Sequence, residues 1–234
     1  MIQTHDIVLW SGPQDMSIKA MTDLAFNVLN ELRDFGGELS PNYLSAYKKS
    51  DVRYFDLNKD NLNKVIENSI NKEVGCEFLE LGRSFGFFSS LDDNESCGIM
   101  FHIGAINTMP SPNSLIVDLP SIHFSGFNSR KREFTDLFKR LIMLFHPYFA
   151  FIANNLNQRA LGQFWKNGKP AYVHWINFYS RSTAEKVGFE KILTLDNIEV
   201  LDGGYFFKLQ DEPLDINNPV HLQRQKEITE QLGL

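Results

Sequence analysis

Hydrophobic and polar positions along this chain follow two rhythms. A period near 3.6 governs three segments. After Ser17, the residues Ile18, Met21, Leu24, Ala25, Val28 and Leu32 recur at helical spacing, and Gly36-Gly37 supplies a stop. From about Asp60, Leu62, Val65, Ile66 and Ile70 share one helical face. Phe134, Leu137, Phe138, Leu141, Ile142 and Phe145 form a third, stronger stripe, ended by His146-Pro147. Short apolar runs predict strands at HDIVLW (5–10), VRYFDL (52–57), SLIVDLP (114–120), YFAFIAN (148–154) and AYVHWINFYS (171–180). A loop containing GQFWKNGKP separates the last two. EFLELGRSFGFFSS (77–90) and SCGIMFHIGA (96–105) flank LDDNE, the pattern of two strands joined by an acidic hairpin loop. A short helix, a hairpin at Asp202-Gly203-Gly204 and a last helix complete the order, with Asn218 as its cap and Pro219 at its first position.

Helices interspersed among mostly hairpin-connected strands predict an α+β fold, a largely antiparallel sheet with helices packed on it. With 234 residues and no repeat, low-complexity tract or linker, the expectation is a single compact domain over 1–234 with its own core. Twenty phenylalanines point to a Phe-rich core; the alternative is that a few rings anchor a partner protein. Two cysteines, Cys76 and Cys97, with no Cys-x-x-Cys spacing, exclude a secreted disulfide scaffold. The start MIQTHDIVLWSGPQD lacks the basic-then-apolar pattern of a secretory signal. The longest apolar run, LIMLF at 141–145, is far short of the roughly 18 residues that span a bilayer. The expectation is a soluble cytoplasmic protein without membrane contact.

Charge is unevenly placed. Residues 1–129 carry 9 Lys+Arg against 17 Asp+Glu, residues 130–195 carry 11 against 4, and residues 196–234 carry 3 against 8. A net charge of −6 argues against direct nucleic-acid binding, which needs a basic face. Arg130-Lys131-Arg132 reads as a solvated helix start. The acidic flanks suit a basic partner.

No catalytic constellation is visible. Six histidines are scattered without metal-ligand spacing, so no metal site is expected, and His102 and His174 read as structural residues inside strands. There is no Gly-x-Ser-x-Gly elbow and no phosphate loop. Gly82 and Gly86 lack the third glycine and the helix of a dinucleotide fingerprint, and a bulge or close strand crossing explains them better. Asp92, Asp93 and Glu95 form a tight carboxylate cluster, read first as an exposed turn, then as a protein-binding tip, last as catalytic.

The run YVHWINFYSRSTAEKVGF (172–189) resembles the carboxyl end of acetyl-coenzyme A-dependent acetyltransferases, through Asn177 and Gly188-Phe189. The Tyr that would protonate the leaving thiolate is Ala184, and Phe164 stands where a pyrophosphate loop needs a small residue. That N-acetyltransferase-like reading is kept as the enzymatic alternative. Locally, Tyr172, His174, Ile176 and Phe178 would share one face of a central strand, with Val173, Trp175, Asn177 and Tyr179 on the other. Ser182-x-x-Glu185 reads as a capping box for one helical turn, with Gly188 as its left-handed stop.

Together with IEVLDGGYFFKLQDEPLDINNPVHLQRQ (198–225), the stretch resembles the carboxyl-terminal half of the immunity-protein-52 family of bacterial polymorphic toxin and type VI secretion systems, most clearly over 140–230. The matching residues are Trp175, Asn177, Tyr179 and Gly188, then Pro213-Leu214-Asp215, Asn218-Pro219 and His221-Leu222, with His146-Pro147 upstream. The resemblance implies a cytoplasmic antidote that binds a cognate toxin, usually a nuclease of restriction-endonuclease-like fold. It implies no turnover and no cofactor, and it gives Trp175, Asn177, Tyr179, Gly188, Pro213 and His221 structural roles. Asp92, Asp93, Glu95, Asp211, Glu212 and Asp215 are the candidates for the toxin-facing surface, presenting carboxylates where a nuclease expects phosphates. A third reading is an adaptor of a secretion apparatus, which would bind without rescuing cells from a toxin.

Overall fold

The structure, a computed structural model, describes residues 4–46, 48–73, 76–107, 112–120, 123 and 130–234. The first half runs β1 (Thr4–Ser11), α1 (Ile18–Phe35), β2 (Tyr43–Leu44), β3 (Arg53–Tyr54), α2 (Lys59–Asn68), β4 (Lys72–Glu73), β5 (Cys76–Glu77), β6 (Arg83–Phe88), β7 (Gly98–Ile103) and β8 (Asn113–Pro120). The second runs α3 (Lys131–Phe145), β9 (Phe149–Asn154), α4 (Asn155–Leu161), β10 (Trp165–Lys166), β11 (Lys169–Pro170), β12 (Ile176–Tyr179), α5 (Arg181–Val187), α6 (Phe189–Ile192), β13 (Glu199–Leu201), β14 (Gly204–Lys208) and α7 (Pro219–Leu232).

Ten strands form one antiparallel sheet in the order β13-β14-β12-β9-β1-β8-β7-β6-β2-β3. This is the expected α+β class, a single compact domain. The cross-strand row Leu9–Ala150–Phe178–Phe206 faces α3, whose Phe138 meets Phe206. α1 and α3 pack together here and bury Met21, Ala25, Val28, Leu29, Leu32, Phe134, Leu137, Phe138, Leu141, Ile142 and Phe145. Those are largely the positions the 3.6 period selects, because a helix must turn its apolar stripe to the sheet.

The other face is covered unevenly. Over β9 and β12 every residue is buried. Phe164 and Trp165 pack on Trp10, His174 stacks on Phe151 at 3.8 Å, and Gln225 of α7 bonds Asn157 and the Val173 carbonyl. Over β8, β7 and β6 the described residues are packed less fully. Ser114, Ile116, Asp118, Met100, His102 and Ser84 alternate with buried neighbours and keep access to solvent.

Several local expectations change. VRYFDL keeps only two strand residues, because Phe55 turns into the core against Phe87. The 77–90 strand splits at Gly82 (φ 67), whose missing Cβ lets the backbone lie against Ile103–Ala105. Gly86 pairs with Met100 in the regular β6–β7 ladder and lies under its side chain. AYVHWINFYS contributes only Ile176–Tyr179 to the sheet, since Asn177 folds the preceding residues into a turn: its Oδ1 accepts from His174 N (2.8 Å) and its Nδ2 donates to His174 O (2.9 Å). α5 is capped by Ser180, which accepts from Thr183 N, in place of Ser182; Gly188 (φ 110) ends it as expected. Ile70 lies beyond the end of α2, and the expected loop around GQFWKNGKP contains the β10–β11 hairpin.

Candidate functional site

The antiparallel order gathers the acidic candidates along one end of the sheet. The β6–β7 loop leaves from Phe88 and returns at Gly98, and Gly98 pairs with Asp118, which pairs with Asp6. β14 ends at Lys208, beside Ile176 and, through it, Ile152 and Ile7. The Asp92-Asp93-Glu95 tip and the Asp211-Glu212-Asp215 segment therefore share a rim. β14 and β7 are five strand spacings apart, roughly 24 Å, so the two groups are not one cluster.

The carboxylates differ in how firmly they are held. Asp92, Asp93 and Glu95 are exposed. Asp92 closes its own turn, its Oδ1 accepting from Asn94 N at 2.9 Å and its carbonyl from Glu95 N and Ser96 N. Glu95 offers its carbonyl to His123 Nε2. In the second group, Glu212 is paired with Lys131 Nζ at 3.1 Å, and that ammonium holds its carboxyl below the usual range. Asp215 Oδ1 accepts from Asn217 N at 2.9 Å while its own N–H donates to His221 Nδ1 at 3.1 Å. With Leu214 buried beside it, Pro213-Leu214-Asp215 is a turn that seats α7, and His221 is part of that turn. Asp211 lines a cleft of about 910 Å³ between α3, β13–β14 and α7, where Lys131, Arg132, Lys139, Lys208 and Arg224 meet Asp136, Asp196 and Glu199.

The other residues that carry the resemblance hold the framework in place. Trp175 is buried and donates from Nε1 to the Gln210 carbonyl at 3.1 Å, tying the segment before β12 to the end of β14. Tyr179 is fully buried, and burial raises its phenol far above the ordinary range. Arg130 of the basic triplet is structural too: it bridges Glu38 and Glu133 at 2.8 Å each and lies over the Phe35 ring, fastening the start of α3, while Arg132 is exposed.

Two features have no local signal in the sequence. Asp6 and Asp118 face each other across β1 and β8. Burial and the neighbouring Asp118 carboxylate push the Asp6 carboxyl up to about 8, although Thr4 Oγ1 (2.9 Å) and Gln158 Nε2 (3.1 Å) both donate to it. Beyond them, Tyr54, Tyr43 and Phe88 stand directly opposite one another on β3, β2 and β6. Tyr43 meets Tyr54 edge-on at 6.0 Å and stacks on Phe88 at 5.5 Å. Each strand shows its Asp or ring, but the register that aligns them is long-range.

Ser84 Oγ and His102 Nδ1 are 2.8 Å apart, yet among the described residues no carboxylate orients that imidazole, and burial lowers its basicity. Among the described residues no three His, Cys, Asp or Glu side chains could jointly hold a metal ion. Phe164, where a pyrophosphate loop would need open backbone, packs against Trp10 and Phe151. No helix among the described residues is long and apolar enough to cross a membrane.

Comparison with solved structures finds the same architecture elsewhere. The chain is similar to the Pseudomonas aeruginosa T6SS protein PA0821, with a TM-score of 0.66 and 9% identity, over 98% of this chain and 73% of that one. The likeness is one of fold. No family model matches the chain, and no curated protein matches it. The resemblance to the immunity-protein-52 family therefore rests on the ordered residues from His146 to Leu222.

Proposed function

We propose that this chain is a cytoplasmic immunity protein of a type VI secretion system, which binds a cognate secreted toxin and neutralises it by covering its active site or substrate surface. The observation that carries this reading is the fold shared with a T6SS protein over nearly the whole chain. The immunity-protein-52 resemblance narrows the role from secretion in general to protection. The acidic rim suits a nuclease toxin, whose active site is basic where it receives phosphates. In this reading the protein performs no turnover, needs no cofactor and does not touch nucleic acid itself.

The test is co-expression in a naive host with the toxin domain encoded beside this gene. Survival that depends on this chain supports the antidote role. Death at the same rate with and without it ends the proposal. Binding without survival would favour an adaptor of the secretion apparatus. A melting temperature raised by acetyl-coenzyme A would favour the acetyltransferase reading.

A further inference from the structure

The register places one row of side chains across six strands: Tyr54, Tyr43, Phe88, Gly98, Asp118 and Asp6. This row crosses the half of the sheet whose outward residues are the more exposed among the described residues. Tyr54 is 72% exposed, Met100 in the next row is 46% exposed, and Asp118 is also exposed. The outward positions of β6, β7 and β8 (Ser84, Gly86, Phe88, Gly98, Met100, His102, Ser114, Ile116, Asp118) include no Lys or Arg.

Gly98 makes the row more than a patch. It has no side chain, so a notch lies between the Phe88 ring and the Asp118 carboxylate. Those two residues are two strand spacings apart, roughly 10 Å. An arginine fits that interval. Its apolar stem can lie over the glycine backbone and the Phe88 edge while its guanidinium reaches Asp118, and a second cation can sit over the Tyr43–Tyr54 rings. Lysine suits it less, because its ammonium offers neither a planar face for the rings nor a bidentate fork for the carboxylate. The acidic tip at Asp92 to Glu95 continues from the same end of β6 and β7 and extends the negative field.

The geometry points to this open face as the docking surface for an arginine-bearing segment of a partner protein, with one arginine seated in the Gly98 notch. The identity of that partner as the toxin rests on the immunity reading; the arginine preference of the face does not.

Two measurements separate the two claims. The first titrates nona-arginine and nona-lysine peptides into the ¹⁵N-labelled full chain. Saturable shifts along Tyr54, Phe88, Gly98 and Asp118, stronger with arginine and weakened by salt, are expected. Gly98→Val should abolish them while keeping the fold: a Cβ there meets only the Asp118 Cβ, at an ordinary 3.5 Å, and Val suits a strand. Shifts elsewhere, no saturation, equal binding of both peptides or an unaffected Gly98→Val variant would each overturn the proposal. The second measures affinity for the toxin domain encoded beside this gene. Gly98→Val, Met100→Lys and Tyr54→Ala should each weaken it by about tenfold or more, and Val200→Lys, 73% exposed at the opposite edge, should not. Equal affinity for all variants refutes docking on this face. If the toxin domain fails to bind even the unmodified chain, the immunity reading falls, and the peptide titration alone decides the arginine site.

Discussion

Replacing Asp6 by Asn should make the protein more stable at pH 8 and leave it nearly unchanged at pH 4. In the folded chain the Asp6 carboxyl is raised from 3.8 to about 8, by burial first and by the hydrogen bond and charge of Asp118 second. A raised acid is a destabilising group once ionised. The native state keeps its proton between the unfolded and folded values, so this contribution to stability is intact below about 4 and is lost as pH rises towards 8. At pH 7 the full shift would correspond to about 4 kcal/mol, from three pH units at about 1.4 kcal/mol each. Asp118 is open to water, which screens much of that repulsion, so a loss of about 1–2 kcal/mol is the working figure. Asparagine imitates the protonated acid, donating from Nδ2 to Asp118, and the Gln158 amide needs only to turn over. Urea unfolding of both proteins at pH 4, 6 and 8 gives the readout. A gain equal at all three pH values, or a loss at pH 8, would show that Asp6 does not retain its proton in the folded state.

His174 offers the opposite sign. Its imidazole is fully buried, stacked on Phe151, with no hydrogen-bond partner for either ring nitrogen among the described residues, and burial lowers it to about 3. Stability should therefore fall as pH drops from 6.5 towards 3, and His174→Phe should move the acid-unfolding midpoint, read by tryptophan fluorescence, to lower pH; an unmoved midpoint refutes this. Asn177→Ala strips partners from both backbone groups of His174 and should cost about 2–4 kcal/mol in chemical unfolding, with a loss below about 1 kcal/mol contradicting the clip. Ser180→Ala should cost about 1 kcal/mol and Ser182→Ala almost nothing; the reverse order would return the cap to Ser182. Reversing Asp92, Asp93 and Glu95 to Lys should weaken toxin binding and reduce its salt sensitivity, and unchanged affinity would remove that tip from the interface.

The helices are legible in the sequence because their signal is local. The stripe from Phe134 to Phe145 and the Ser17 and Asn218 caps sit within a few residues of what they control. The extended run before β12 reads as strand because alternating aromatics satisfy a strand pattern wherever both sides are covered. Only the side-chain bonds of Asn177 to His174 show that the chain turns there. The cap of α5 differs from expectation for a related reason. Ser180 and Ser182 are chemically equal in sequence, and the incoming direction of β12 decides between them. The acidic loop and tail are readable as composition. Their shared rim, the Asp6–Asp118 pair and the aromatic row depend on strand order, which links residues more than a hundred positions apart.

The uneven cover of the sheet divides the molecule by tolerance to change. A new side chain on β9 or β12 must fit a packed interior, and a lost or added methylene group there is felt through the whole core. An exposed outward residue such as Ser84 or Met100 can be exchanged for about 0.5 kcal/mol or less. One half of the domain thus fixes the shape, and the other can take new side chains without refolding.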